Sequence, residues 1–187
     1  MRIIVGISGA SGVIMGSYLL QTLKQQPDIE THLVISEAAV RNFEIETDIQ
    51  VNEVKKLADY CHANDNMAAS IASGSFATDG MIVIPCSMKT LSGIVHGYTD
   101  NLLIRAADVC LKEGRKVVLV PRETPLNRAH LKNMLLAAEY GCHIVPPMLT
   151  FYNNLKSVEE QIDHVLGKVL APFGITHKKF LPWQGLE

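Results

Sequence analysis

The sequence predicts an α/β fold, a Rossmann-like (flavodoxin-like) three-layer domain with a mostly parallel sheet. Three observations predict it. Short apolar, β-branched runs alternate with amphipathic stretches along the chain, the pattern of strands and helices in turn. The run 81–84 is continuously apolar, as suits a parallel strand covered on both faces. The first run, 3–7, stops at Ser8-Gly9-Ala10-Ser11-Gly12, and Ile14, Leu19, Leu20 and Leu23 follow at helical spacing.

That first unit reads as strand, tight turn, helix. Backbone N–H groups and the macrodipole at such a turn favour an anion, usually a phosphate. The glycines allow close approach, and Ser8 and Ser11 offer hydroxyls. The turn is neither a P-loop nor a strict Gly-x-Gly-x-x-Gly, since its glycines fall at 6, 9, 12 and 16. Phosphate binding and plain packing of helix on strand fit the turn equally well.

A second strand is expected over 30–36, with Leu33, Val34 and Ile35 buried and Ser36 at its end. Residues 37–46 read as a helix. Residues 50–62 read as another, with Val51, Val54, Leu57 and Ala58 on one face. The polar, small-residue segment 63–78 reads as a loop, and loops of that length are usually functional. The third strand, 81–84, runs into Pro85-Cys86-Ser87-Met88-Lys89-Thr90 and a helix to about Val95. Thr99 or Asp100 is the expected cap of the next helix, which reaches Lys112. A fourth strand covers 116–120, a helix 127–140 stops at Gly141, and a fifth strand covers 143–145. Past Pro146-Pro147 and Phe151-Tyr152 comes a last helix over 158–170.

The bulk composition bounds the function. The 187 residues are 48% hydrophobic and 19% charged, enough for one well-cored domain spanning 1–187. A net charge of −2 without a Lys/Arg run excludes nucleic acid as a partner. Cysteines at 61, 86, 110 and 142 make no Cys-x-x-Cys pair, so neither a structural zinc site nor a disulfide framework is expected, and a reduced, cytoplasmic setting fits. The uncharged stretch from Arg2 to Lys24 is broken by four glycines and fits strand, turn and helix better than a signal peptide. No other stretch is long and apolar enough to span a bilayer.

In sheets of this kind ligands bind beyond the carboxyl ends of the strands. The informative residues fall there. Ser11, Ser36, Ser87 and Thr90 are hydroxyl donors, Arg122 and Lys89 are cations, and Glu46 and Glu123 are carboxylates. Together they make a phosphate cradle with acid/base groups, and no metal-ligand spacing. A mononucleotide such as FMN suits it. The acidic residue that marks NAD ribose binding is replaced by Ser36. Each serine also reads as a helix cap. Arg105 and Lys112 also read as a solvated stripe of one helix. Cys86 has no positioned His and reads as a small buried residue.

At Gly9-Ala10-Ser11-Gly12, Ala72-Ser73-Gly74-Ser75-Phe76 and Pro85-Cys86-Ser87-Met88-Lys89-Thr90-Leu91 the chain resembles the UbiX-type flavin prenyltransferases, a group that includes the B subunits of phenolic acid decarboxylase systems. The resemblance continues through Asp100-Asn101-Leu102, the block from Arg105 to Val109, Val120-Pro121-Arg122-Glu123-Thr124-Pro125-Leu126, Pro146-Pro147-Met148 and Phe151-Tyr152-Asn153. It implies a metal-independent transferase that joins the dimethylallyl group of dimethylallyl phosphate to reduced FMN, at N5 and then C6. The product, prenylated FMN, serves a separate UbiD-type decarboxylase. It also implies a homododecamer with sites at subunit junctions.

Carried over by position, the resemblance places FMN against Gly9, Ala10, Ser11, Ser36, Ser87, Met88, Lys89, Thr90 and Arg122. It places the prenyl phosphate against Tyr152 and Lys168, and Ser11, Glu46, Arg105, Lys112 and Glu123 among the catalytic groups. Two positions depart from the pattern of some members. Lys168 stands for an Arg, and a Lys makes no bidentate phosphate clamp. The stretch Asn66-Met67-Ala68-Ala69-Ser70-Ile71 lacks a Trp. Two alternatives stand beside this reading: a flavin-dependent cysteine decarboxylase, which calls for a base such as His near the flavin, and a non-catalytic FMN carrier or accessory subunit of a decarboxylase.

Overall fold

The computed structural model describes residues 1–185, so the last two positions of the expected 1–187 unit lie outside it. Six strands form one sheet: β1 (Arg2–Ile7), β2 (Glu30–Ile35), β3 (Tyr60–His62), β4 (Gly80–Cys86), β5 (Lys116–Pro121) and β6 (His143–Ile144). Their order is β3-β2-β1-β4-β5-β6, and every pairing is parallel. Without β3 the order is the flavodoxin-like one. With β3 it becomes the doubly wound order, and both reverse direction between β1 and β4.

Seven α-helices cover the two faces: α1 (Ile14–Lys24), α2 (Glu37–Glu46), α3 (Val51–Lys55), α4 (Met88–Val95), α5 (Leu102–Lys112), α6 (Arg128–Glu139) and α7 (Val158–Leu170). The period-two alternation of each strand divides the core. Ile3, Val5 and Ile7 of β1 pack with Leu19 and Leu20 of α1, Phe43 of α2 and Leu166 of α7. Ile4 of β1 and Met81 and Val83 of β4 point the other way, against Leu91 of α4 and Leu103 and Ala107 of α5. This is the expected three-layer arrangement.

The helix starts follow local chemistry. The side chains of Ser36, Ser87, Asn127 and Ser157 accept from Ala39, Thr90, His130 and Glu160 N–H and cap α2, α4, α6 and α7. The cap of α5 is Asn101, which accepts from Ile104 N–H, and not the expected Thr99 or Asp100. Gly167 of α7 is a point of close approach. A Cβ there would lie 2.2 Å from the Phe180 ring, so the tail packs directly on the helix backbone.

One expectation fails. The helix expected over 50–62 stops at Lys55, and Tyr60–His62 joins the sheet as β3 beside β2. The apolar residues Leu57 and Ala58 do pack on the core, but in a turn. Asp59 is what redirects the chain. Its carboxylate accepts from Thr31 N at 2.8 Å and Thr31 Oγ1 at 2.9 Å, while its own N–H donates back to Thr31 Oγ1 at 3.0 Å. Long-range side-chain bonds to β2 thus override local helical spacing.

Asp59→Ala is expected to lower stability by about 2 kcal/mol, because it leaves the N–H and hydroxyl of the buried Thr31 without their acceptor. Thermal unfolding measures the loss. Hydrogen exchange should speed up at Thr31 and Cys61 while β1 and β4 stay protected.

Candidate functional site

The site grows from the crevice where β1 and β4 part. Ser8, fully buried, ties the two strand ends together. Its Oγ donates to Pro85 O at 3.0 Å and accepts from Ser87 N at 2.8 Å, and its N–H donates to Pro85 O at 3.2 Å. The Ser8 hydroxyl expected to face a ligand is therefore consumed within the protein. Ser11, three residues on, is half-buried at the turn.

Gly12, with φ +95°, completes that turn in a conformation that favours glycine. The helix it opens has no side-chain cap of its own. The carboxylate of Glu46, the last residue of α2, supplies one. Its Oε2 accepts from Gly12 N at 2.8 Å and Val13 N at 3.4 Å. The anion drawn to the positive end of α1 is thus a residue of the chain itself. Ser11 and Glu46 are brought together here, and a ligand phosphate has to be held elsewhere.

It has a place beside this turn. A cleft of about 520 Å³ opens at the carboxyl edge beyond β2 and β4. Ser36, Lys89 and Thr90, three of the residues singled out in the sequence, line it. Arg41, Asn64 and Asn101 line it as well, and the sequence reading missed them. The signal for Arg41 was available, since it lies five residues after the Ser36 cap, in the second turn of α2. A cation near a helix N-terminus is what an anion site requires. Ile35, Leu103 and Ile104 give the cleft apolar wall. The volume falls within the usual range for ligand sites, about 300–1,000 Å³. Two cations, two hydroxyls and two amides beside apolar wall suit the phosphate, ribityl chain and ring system of FMN, and the carboxylates of Glu37, Asp65 and Asp100 share the lining, so the phosphate has to sit at Arg41 and Lys89. Among the described residues no histidine lines the cleft.

Ser87 Oγ both accepts from Thr90 N at 3.2 Å and donates to Thr90 Oγ1 at 3.1 Å, so Ser87 caps α4 and holds Thr90, which lines the cleft. Met88 packs against the α5 side of the core. Arg122 and Glu123 follow β5, both exposed, with Arg122 N donating to Cys86 O at 3.2 Å. Glu123 Oε1 accepts from Thr124 N at 2.9 Å.

Arg105 and Lys112 are not brought to this edge. Arg105 Nη1 donates to Asp108 at 2.7 Å and its Nε to Ala72 O at 3.1 Å. Lys112 ends α5 at the opposite edge of the sheet, paired with Glu113 beside Gly74. The Lys112 ammonium holds the Glu113 carboxyl below its ordinary pKa. Within one chain Arg105 fastens the segment 70–78 at Ala72, while Lys112 is bonded to Glu113.

Tyr152 and Lys168 flank the packed pair of His164 and Phe180, Tyr152 against the imidazole and Lys168 over the Phe180 ring. Tyr152 Oη lies 3.2 Å from Nε2 of His164, a residue the sequence reading passed over. Lys168, one turn further along α7, holds its ammonium over the Phe180 ring at 5.2 Å. Trp183 stacks edge-on against Tyr152 with centroids 5.7 Å apart. This aromatic wall comes from the tail, and not from the 66–71 stretch that lacks a Trp.

Burial pushes the Cys86 thiol well above its ordinary pKa and raises Cys110 and Cys142 to about 11. Cys86 is a packing residue, as expected from its lack of a partner. Among the described residues no cluster of His, Cys, Asp or Glu is placed to hold a metal ion. No helix among them is long and apolar enough to cross a membrane.

Comparison with known proteins agrees with this geometry. The family described as Flavoprotein matches residues 1–173. A probable UbiX-like flavin prenyltransferase of Sedimentibacter hydroxybenzoicus is 62% identical over 187 residues, covering 100% of this chain and 99% of the relative. A dodecameric FMN-dependent UbiX-like decarboxylase from Escherichia coli O157:H7 superposes with a TM-score of 0.97 at 53% identity, covering 99% of this chain and 100% of that one. The structure of AnUbiX (PadA1) in complex with FMN and dimethylallyl pyrophosphate superposes with a TM-score of 0.96 at 46% identity, covering 100% and 98%. The chain belongs to the flavoprotein family and, within it, to the UbiX-like flavin prenyltransferases.

Proposed function

We propose that this chain joins the dimethylallyl group of dimethylallyl phosphate to reduced FMN, at N5 and C6, and that the prenylated FMN serves a UbiD-type decarboxylase. One observation carries the reading. A cleft with the donor set for FMN opens at the switch point of a chain that is 62% identical, end to end, to a flavin prenyltransferase. We read 1–187 as one FMN-binding domain working in the cytoplasm. The cysteine decarboxylase alternative calls for a histidine that the cleft does not have.

The residues divide the work. Arg41 and Lys89, with the N-terminus of α2, hold the FMN phosphate, since Glu46 already occupies the N-terminus of α1. Gly9, Ala10, Ser11, Ser36, Ser87, Met88, Thr90 and Arg122 form the rest of the flavin seat. When bound, reduced flavin supplies the nucleophilic N5 and C6 and a π face for the allylic cation. Tyr152 and Lys168 hold the prenyl phosphate and stabilise the negative charge that grows as it leaves. Glu123, exposed beside Arg122, donates the proton to the departing phosphate. Glu46 accepts main-chain N–H groups through Oε2, which leaves Oε1 to work with Ser11 on the proton lost in ring closure. In an oligomer like the dodecameric E. coli relative, a neighbouring copy brings Arg105 and Lys112 to the site.

Anaerobic incubation with reduced FMN and dimethylallyl phosphate, followed by mass spectrometry of the flavin, is expected to show the gain of one prenyl unit. FMN recovered unchanged, with the diphosphate donor also tried, overturns the reading. Glu123→Gln should lower turnover at least about 10²-fold across a broad pH range. Full activity would remove Glu123 as the acid. Arg41→Ala should weaken FMN binding about tenfold, the value of one charged hydrogen bond, as read by flavin fluorescence titration.

A further inference from the structure

Tyr152 does not stand alone in the loop after β6. His164, buried on α7, meets its hydroxyl through Nε2 at 3.2 Å and meets Asn153 Nδ2 through Nδ1 at 3.0 Å. The Phe180 ring covers the imidazole, with centroids 5.1 Å apart, and the Tyr152 ring abuts it edge-on at 5.8 Å. The charged residues placed around the prenyl phosphate do not explain why an imidazole is enclosed here.

A neutral imidazole donates from one nitrogen and accepts at the other. The surrounding bonds decide which. Gln161 is pinned to the main chain of Thr150: its Oε1 accepts from Thr150 N at 3.0 Å and its Nε2 donates to Thr150 O at 2.9 Å. The Thr150 hydroxyl lies 3.2 Å from both Gln161 Oε1 and Asn153 Oδ1, so its proton is shared between two amide oxygens. With Asn153 Oδ1 used as an acceptor, Asn153 presents Nδ2 to the imidazole, and that group only donates. Nδ1 of His164 is therefore the acceptor, and the ring proton sits on Nε2. Burial, and then the nearby Lys168 charge, hold the His164 pKa below its ordinary value and favour this neutral ring.

An Nε2–H donor changes what Tyr152 can do. It occupies an acceptor position on the phenol oxygen and leaves the phenolic proton to point away. The opposite tautomer would take that proton for itself. We propose that His164 is a positioning residue for prenyl transfer: Asn153 holds it as the Nε2–H tautomer, and it turns the Tyr152 hydroxyl proton toward the phosphate of the prenyl donor. This rests on the reading of Tyr152 as a phosphate contact. Half of the Tyr152 surface remains open, so the hydroxyl can reach a ligand.

Two measurements test it. Solid-state nitrogen NMR of histidine-labelled protein, with His164→Gln assigning the signal, reads the tautomer without flavin or turnover. The expected result is a protonated Nε2 and a bare Nδ1, and the reverse overturns the proposal. Calorimetry on the FMN-loaded protein reads the second. His164→Leu should weaken dimethylallyl phosphate binding about tenfold with FMN affinity unchanged. His164→Gln, whose side-chain amide can donate in place of Nε2–H, should restore most of it. In a Tyr152→Phe background, His164→Leu should add less than about twofold. An equal tenfold loss in that background would show packing alone and overturn the proposal, as would wild-type affinity in His164→Leu or wild-type protein that binds no donor. Wild-type protein that binds the donor but leaves flavin unchanged sinks the transferase reading, while the His164 result stands.

Discussion

The buried hydroxyl of Ser8 is the contact on which the site depends. A parallel sheet that reverses direction has a crevice wherever the chain turns away to opposite faces, and here that happens between β1 and β4. Ser8 bonds to Pro85 and Ser87 across this crevice at its floor. It thereby fixes the Gly9–Gly12 turn relative to the start of α4. The turn, the α4 cap and the cleft beside them are held in one register by a group that no ligand touches. Its burial makes the arrangement costly to disturb, because Ser87 N–H would lose its acceptor while Pro85 O kept only the Ser8 N–H.

A second constraint follows from charge. Helix N-termini attract anions, and α1, α2 and α4 all begin at the same edge. Glu46 takes the first of these positions. That choice leaves α2 and Arg41 as the natural seat of a phosphate, and it puts a carboxylate beside Ser11. A single side chain so separates a place for an anion to bind from a place for a proton to go.

Much of this was legible in the sequence, for reasons that can be named. β-branched runs ending in Gly, Ser or Pro marked five of the strands, since those runs bury side chains on both faces. The double reading of Ser36 and Ser87, as caps or as ligand groups, reflects a real overlap. Both cap helices, and Ser36 also lines the cleft. The strand Tyr60–His62 was not legible, because Asp59 and Thr31, far apart in the chain, set it. The placement of Arg105 and Lys112 away from the cleft was equally hidden. Their seven-residue spacing shows a shared helix face but not what that face meets. His164 escaped notice because a lone histidine in an apolar helix carries no pattern. Its meaning comes from Tyr152 and Asn153 in a loop that only the fold brings near.

The way α5 grips the segment 63–78 carries a consequence for how that segment behaves. Arg105 and Arg115 donate to the carbonyls of Ala72, Gly74 and Phe76, and Asn64 accepts from the first N–H groups of α5. These guanidinium bonds to the segment end on neutral carbonyl oxygens, so added salt screens the Arg105–Asp108 pair more than it weakens the grip on the segment. A polar, small-residue stretch that reads as a loop is fastened along its length. It gains the ordering of a secondary-structure element from arginine forks on α5 and just beyond its end, a task that lysine, with its single ammonium, would perform poorly.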